Sequence, residues 1–510
     1  MSHKKLLYAC VLACQVLANR ARCEAAENLA FDVTLDRAAA EASLPETNGH
    51  RAVSGRLYVF LSQRETGEPV RGPSWFQPEP FFGVDVRDVQ PGEMRRIDGT
   101  ANGYPEPLDK LPAGKYRAQA ILDHDFYHQN QGKGVGNFYS PVIEIDVKPN
   151  APQAPALLLD KVIAAEPFPA SAWVHEIVMR SELLSTFFGH DVVERAAVVL
   201  PAGYDDQPQR RYPVVYEIPG FGGSYWPPKS EREAAPTAAE GDTDFIRVYL
   251  SGDCKWGHHV YADSATNGPR GAALVGEVIP YIDSKYRTVP HSSGRFVTGH
   301  SSGGWSSLWL QVSYPDTFGG CWSTSPDPVD FRDFQQVDLY AEPPLSLYYD
   351  PQGAMRPIAR RGAEPFLWFV KFGQMDDVIG RGGQLRSFEA VFSPRGADGL
   401  PQKLWDRQTG QIDPVVAKSW EKYDIRLILE RNWPTLGPRL AGKLNIITGE
   451  LDTFYLDGAV RKLKVSLETL GSDAIVEILP GKGHSLRNRE IEQRIVREMS
   501  AKFRQAHPDS

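Results

Sequence analysis

Between residues 30 and 150 the apolar side chains come in short runs broken by Gly, Pro, Asn and Asp. The runs at 56–61, 81–86, 116–122 and 142–147 are rich in β-branched and aromatic residues. Runs of that length, bounded by turn formers, predict strands. Residues 111–115 read as a turn feeding the third of them. No stretch here carries apolar positions at helical spacing, so the pattern predicts a small all-β sandwich of immunoglobulin-like shape over 30–150. Residues 148–155, with Pro149, Pro152 and Pro155, read as a stiff linker behind it.

After residue 185 the rhythm changes. Apolar runs of strand length at 192–200, 212–218, 245–250, 295–298, 444–448 and 474–479 alternate with helical stretches such as 272–286 and 303–312. Alternation of this kind predicts a mostly parallel sheet covered by helices on both faces. The catalytic unit is expected over 165–507, with an insertion at 328–440. The insertion is far longer than the usual βα connection of about 2–6 residues, so part of it is expected to cap the site. Trp405, Trp420 and Trp433 are its expected apolar walls.

Composition narrows the function. A chain of 510 residues with 42% hydrophobic and 24% charged residues has the makeup of a globular protein. The net charge is -8 and no Lys/Arg block stands out, which excludes a nucleic-acid partner that would need a basic face. His3, Lys4 and Lys5 precede an apolar stretch over 6–18, too short to span a bilayer; residues 1–23 read as an export signal. The protein is therefore expected to be secreted or periplasmic. Two cleavage readings stand: a lipobox-like 11–14 that would make Cys14 a lipid anchor, or ordinary cleavage near Cys23. A lipid anchor is the only membrane attachment expected. Of five cysteines, Cys10, Cys14 and Cys23 lie in or beside the signal; Cys254 and Cys321 remain, as one disulfide or two buried thiols.

The chemistry centres on Gly299-His300-Ser301-Ser302-Gly303, a G-x-S-x-G nucleophile elbow. Chance gives roughly 0.2 such matches in a chain this long, so context decides. Here a strand-like run enters the motif and a helix-like run, beginning with Trp305, leaves it. A serine hydroxyl needs a base, and in this arrangement acid and then base follow the serine along the chain. His484, after the last expected strand, is the expected base; Asp452, after the run at 444–448, is the expected acid. Glu450, Asp457 and Asp327 are competing acids. An oxyanion hole needs two backbone N–H donors. Ser302 is one candidate; Phe221, with Gly222 second, is the other, from the Gly-rich loop after residue 218.

These stretches, together with 199–204, 277–282 and 314–318, resemble the esterase D and enterochelin-esterase-like branch of the α/β-hydrolases. The resemblance implies an α/β-hydrolase fold preceded by the small all-β sandwich, a serine esterase without cofactor or metal, and the roles just given. The substrate implied is a small-molecule or polysaccharide-linked ester, for example of a carbohydrate or siderophore. Where that family often has His-Gly, this chain has Pro219-Gly220, a departure bearing on substrate more than on chemistry. Tyr225, Trp226 and Trp256 fall in loops after expected strands, where parallel sheets form their crevice, and are candidate substrate-binding residues. His258-His259 is expected to serve loop packing and not metal; Asp376-Asp377 and Asp205-Asp206 are expected to be solvated turns. The alternatives are an acyltransferase with the same triad and a non-catalytic carbohydrate- or surface-binding protein.

Overall fold

The computed structural model describes residues 29–46, 50–71, 76, 79–125, 128, 130–148 and 151–508. The expected export signal, with Cys10, Cys14 and Cys23, lies outside the described residues. The chain divides into two units, one up to Asp125 and from Asn130 to Ala165, the other from Glu166 on together with residues 126–129.

The first unit is β-rich. Phe31–Leu35 lies between Met94–Ile97 and Ala156–Leu159 in a three-stranded sheet. A larger sheet is centred on the antiparallel neighbours Val53–Ser62 and Gly114–Asp123, with Phe81–Val89 beyond the first of them. Phe31, Val33 and Leu35 alternate inward along their strand and share one buried core with Leu57, Val59, Phe82 and Leu122 of the larger sheet. The expected linker is a connection within this unit. Gln153 ties it down, accepting from Lys148 N and donating to Asp146 O, before Ala156–Leu159 pairs parallel to Phe31–Leu35.

The second unit is built on eight strands: β1 Val174–Arg180, β2 Val193–Val199, β3 Val214–Ile218, β4 Ile246–Leu250, β5 Arg295–His300, β6 Gly320–Thr324, β7 Leu444–Gly449 and β8 Ile475–Leu479. Their order is β1-β2-β4-β3-β5-β6-β7-β8, parallel from β4 to β8, with β1 and β2 antiparallel at one edge. This is the α/β-hydrolase arrangement. β1 and β6 were not read from the sequence. β1 is an edge strand with only part of its length buried, and β6 is five residues, GCWST, with no β-branched run.

Two helices sandwich the middle of the sheet. α1, Ser302–Ser313, is buried from Ser302 to Val312, because the sheet covers one side and the insertion the other. Trp305 and Trp309 of α1 meet Phe392 and Tyr423 of the insertion at ring distances of 5.2 and 5.6 Å. α2, Arg489–Ala506, lays Ile495, Met499 and Phe503 on Val215, Phe296 and Trp322 across the opposite face. Each helix thus covers one apolar face of the parallel strands. Cys254 and Cys321 are separate buried thiols, both pushed to higher pKa by burial.

Candidate active site

β3 and β5 are adjacent, while the next strand in sequence, β4, lies on the other side of β3. Strand order therefore reverses at β3, and the loops leaving the carboxyl ends of β3 and β5 open onto one crevice. The loop after β5 is the elbow. Ser301 sits at φ 59°, ψ −123°, a strained conformation for a residue with a Cβ. The flanking glycines are required by space. A Cβ at Gly299 would lie 2.2 Å from Gly303 O, and one at Gly303 would lie 2.0 Å from Ile218 O. Ser301 N donates to Thr324 O, and Asp327 N donates to Ser301 O, so the turn is pinned to the end of β6 on both sides.

Asp452 follows β7 and is fully buried. Its Oδ2 lies 2.8 Å from His484 Nδ1, and its Oδ1 accepts from Phe454 N at 2.9 Å. A carboxylate can only accept, so His484 Nδ1 carries a hydrogen and Nε2 is the ring nitrogen left for other partners. The His484 ring packs against His300 of the elbow at 4.7 Å and edge-on against Phe454 at 4.9 Å. Ser325 donates to His484 O. Burial, with the neighbouring His484 and Arg487 adding to it, lowers the pKa of His300 to about 3, so that ring is neutral.

Asp327, the competing acid, has a different job in this geometry. Its Oδ2 accepts from Ser302 Oγ at 2.5 Å. Burial raises its pKa to about 6 against that hydrogen bond.

The loop after β3 lies against the serine. A Cβ at Gly220 would lie 3.3 Å from Ser301 Cβ, and Gly223 N closes the turn onto Gly220 O. Gly222 is left-handed at φ 77°. The Phe221 ring points toward Gly257, where a Cβ would come within 3.3 Å of it. Phe221, Gly222 and Ser302 are thus all on the two turns that meet at Ser301.

His258 braces the Pro219-Gly220 turn. It comes from the loop after β4, is buried, and its Nδ1 accepts from Val260 N at 3.0 Å. Nε2 therefore holds the hydrogen and donates to Pro219 O at 2.9 Å, bracing the loop that carries Phe221. Burial lowers its pKa to about 4 and keeps it neutral. A Cβ at Gly252 would fall 2.1 Å from this nitrogen. Two adjacent histidines before Val260 and Tyr261 gave no sequence signal of this role, because both residues they hold are left-handed without being glycine.

A small cleft beside the site is lined by Asp327 and Phe454 and, from the insertion, by Ile358, Phe372, Leu385 and Phe388. The insertion thus lines the small cleft next to Asp327, and does so through other residues than the expected tryptophans. Trp420 is sealed among Phe331, Phe334 and Phe392, Trp405 donates to Tyr348, and Trp433 lies over Gly437 on its own helix. Tyr225 is engaged elsewhere: it stacks on Phe168, packs beside Val174 and Tyr249, and donates to Glu176. Trp226 meets Phe168 edge-on, and Trp256 sits in the short hairpin after β4; neither is among the cleft residues. Asp376 is buried rather than solvated, at 1% exposure, and burial raises its pKa to about 7.

Residues 193–431 match the family model Esterase, described as "Putative esterase". With the strand order and the elbow, this match, over a little less than half of the chain, supports carboxylic ester hydrolysis by a serine hydrolase of the α/β-hydrolase fold. The matched segment contains Ser301 and ends before Asp452 and His484. No curated protein matches the chain. Among solved structures the chain is similar to a ferulic acid esterase, at 13% identity over 65% of this chain and 98% of that one, with a TM-score of 0.40. It is also similar to the fluorophosphonate-binding serine hydrolase FphF of Staphylococcus aureus (14%, 65% and 98%, TM-score 0.37). A third is an S-formylglutathione hydrolase of Agrobacterium tumefaciens (12%, 66% and 96%, TM-score 0.35).

Proposed function

We propose that this protein cleaves a carboxylic ester through an acyl-enzyme on Ser301, with His484 as base and Asp452 as orienting acid. The observation that carries the reading is the fully buried Asp452 carboxylate 2.8 Å from His484 Nδ1, on the loops that flank a strained serine elbow. His484 Nε2 takes the Ser301 proton as Oγ attacks the ester carbonyl. The backbone N–H groups of Ser302 and of Phe221 or Gly222 hold the oxyanion. His484 then gives its proton to the leaving alcohol, and water releases the acid by the same steps in reverse roles. Asp452 keeps the imidazole in one tautomer and stabilises its charged form.

The substrate we propose is a carbohydrate- or siderophore-linked ester, which fits an exported protein whose amino-terminal sandwich is an accessory domain. The test is a panel of acetyl, feruloyl, glucuronoyl and siderophore esters, with Ser301→Ala as control and fluorophosphonate labelling of the serine. Turnover of none of them, together with no labelling of Ser301, refutes the reading.

A further inference from the structure

The insertion does more than wall the cleft. Its hairpin, Pro357–Arg361 paired with Glu364–Trp368, runs along the loop that carries Asp452. Arg360 N donates to Thr453 O at 2.7 Å. The Arg360 side chain donates from Nε to Asp452 O at 2.9 Å, and from Nη2 to Glu450 O at 3.1 Å and Asp457 Oδ1 at 2.7 Å. Its guanidinium also covers the Tyr455 ring, 4.5 Å from the centroid. All these contacts fall on residues 450–457, and the side chain is only 15% exposed.

That stretch is irregular backbone that needs holding. Between β7 and the helix Asp457–Thr469 there is no strand or helix, and Tyr455 is left-handed at φ 59°. Its own turns give Asp452 N to Gly449 O at 3.2 Å and Tyr455 N to Asp452 O at 3.1 Å. The Asp452 carbonyl therefore serves two donors, and one of them belongs to the insertion. A guanidinium suits the task because its planar fork reaches two carbonyls and a carboxylate from separate nitrogens, Nε and Nη2, where a lysine has only one nitrogen.

We infer that Arg360 is a positioning residue for the esterase reaction: through it the insertion fixes the loop that aims Asp452 at His484 Nδ1. The inference rests on the proposed Ser301–His484–Asp452 reading. None of these hydrogen bonds or ring contacts of Arg360 falls on Ser301 or on a cleft residue, so its loss should appear in the chemical step and not in substrate binding. A tie that served stability alone would lower the melting temperature and leave turnover per folded molecule unchanged.

The experiment compares Arg360→Met and Arg360→Lys with the wild type in the full chain, on p-nitrophenyl acetate. Folded protein is quantified by circular dichroism and gel filtration, and Ser301→Ala is run alongside. A displacement of about 1 Å in such a support costs roughly 10²-fold in rate. The Met variant should lose about 30- to 100-fold in kcat with KM within about threefold, and the Lys variant, which keeps the charge and a single donor nitrogen, should lose less. A folded Met variant with kcat within about threefold of wild type overturns the inference, as does a loss confined to KM. If the Met variant does not fold, the Lys variant decides: wild-type kcat in it means that the fork is dispensable and the inference is wrong. An inactive wild type, or an active Ser301→Ala, sinks the triad reading and this inference with it. An active wild type that needs Ser301 but is indifferent to Arg360 sinks the inference alone.

Discussion

Asp452→Asn separates the acid's role from its shape. The carboxylate is fully buried, with Oδ2 facing His484 Nδ1 and Oδ1 accepting from Phe454 N. Asparagine fits the same space. If its oxygen keeps the Phe454 N–H, its amide hydrogens face Nδ1, which must then give up its hydrogen. The proton moves to Nε2, and the imidazole can no longer accept from Ser301. Flipping the amide would restore the tautomer but would set its NH₂ against the Phe454 N–H. Leaving that buried donor unmade costs about 1–3 kcal/mol, or roughly 5- to 150-fold. The flipped form also lacks the negative charge that stabilises the imidazolium. The two losses compound, and kcat should fall by on the order of 10⁴, about 5.4 kcal/mol of barrier.

The assay is kcat on p-nitrophenyl acetate with the melting temperature measured on the same sample. Asp327→Asn is the control. Its partner Ser302 can still donate to the amide oxygen, so its effect should stay below about tenfold. If Asp452→Asn keeps activity within about tenfold of wild type, or if Asp327→Asn is the more damaging change, the acid is Asp327 and the assignment is wrong.

Ser301→Ala should lose several powers of ten in kcat while melting as the wild type does; activity within tenfold would remove Ser301 from the mechanism. His258→Leu breaks the bond to Pro219 O and leaves Val260 N unmade, and should lower kcat more than it raises KM. His258→Gln can place a donor near the Nε2 position and should recover part of the loss; equal damage from both would show that the donor to Pro219 is irrelevant. Asp376→Asn should stabilise the fold at high pH. Burial raises the folded-state pKa of Asp376 to about 7 from its ordinary 3.8, so the folded state holds the proton more tightly. Stability is then lost as pH rises from about 4 to 7, by up to about 4 kcal/mol. The gain in melting temperature from the substitution should be larger at pH 8 than at pH 5, and an equal gain at both would refute the cause.

The alternation after residue 185 made the parallel sheet legible, because buried parallel strands are continuous apolar runs that the chain cannot easily disguise. The elbow was legible because its glycines answer a local steric demand at Gly299 and Gly303. Asp452 and His484 could be nominated from strand order alone, and the structure brings the two within hydrogen-bond distance of each other. What stayed hidden depends on contacts between distant segments. Arg360 lies in an ordinary Ala-Arg-Arg-Gly stretch and gains its meaning only from a loop some ninety residues later. Asp376 read as a turn because Asp-Asp is normally solvated, yet α-helix Phe369–Ile379 buries the first of the pair. The cleft wall went to phenylalanines because the tryptophans, with a polar ring nitrogen to satisfy, are committed to partners such as Ser393 and Tyr348 inside the insertion.

The distribution of backbone strain points to the same centre. Eight described residues other than glycine have positive φ, and seven of them are in the catalytic unit. Ser301 is the elbow, Ser325 donates to His484 O, Tyr455 is on the acid's loop, and Val260 and Tyr261 follow the histidine that braces Pro219. Gln335 lines the cleft and donates to Phe454 O, with Gln336 beside it. Such conformations cost of order 1–3 kcal/mol each and persist only where the surroundings over-determine them. Each of these has an identifiable restraint nearby: Thr324 O for the elbow, His258 and His259 for the loop after β4, Arg360 for the acid's loop. A chain selected only for stability has no reason to gather this strain around one serine. A chain that must hold a nucleophile, an oxyanion loop and an acid on three separate loops does, because rigid irregular loops are the way to aim all three at one carbonyl carbon.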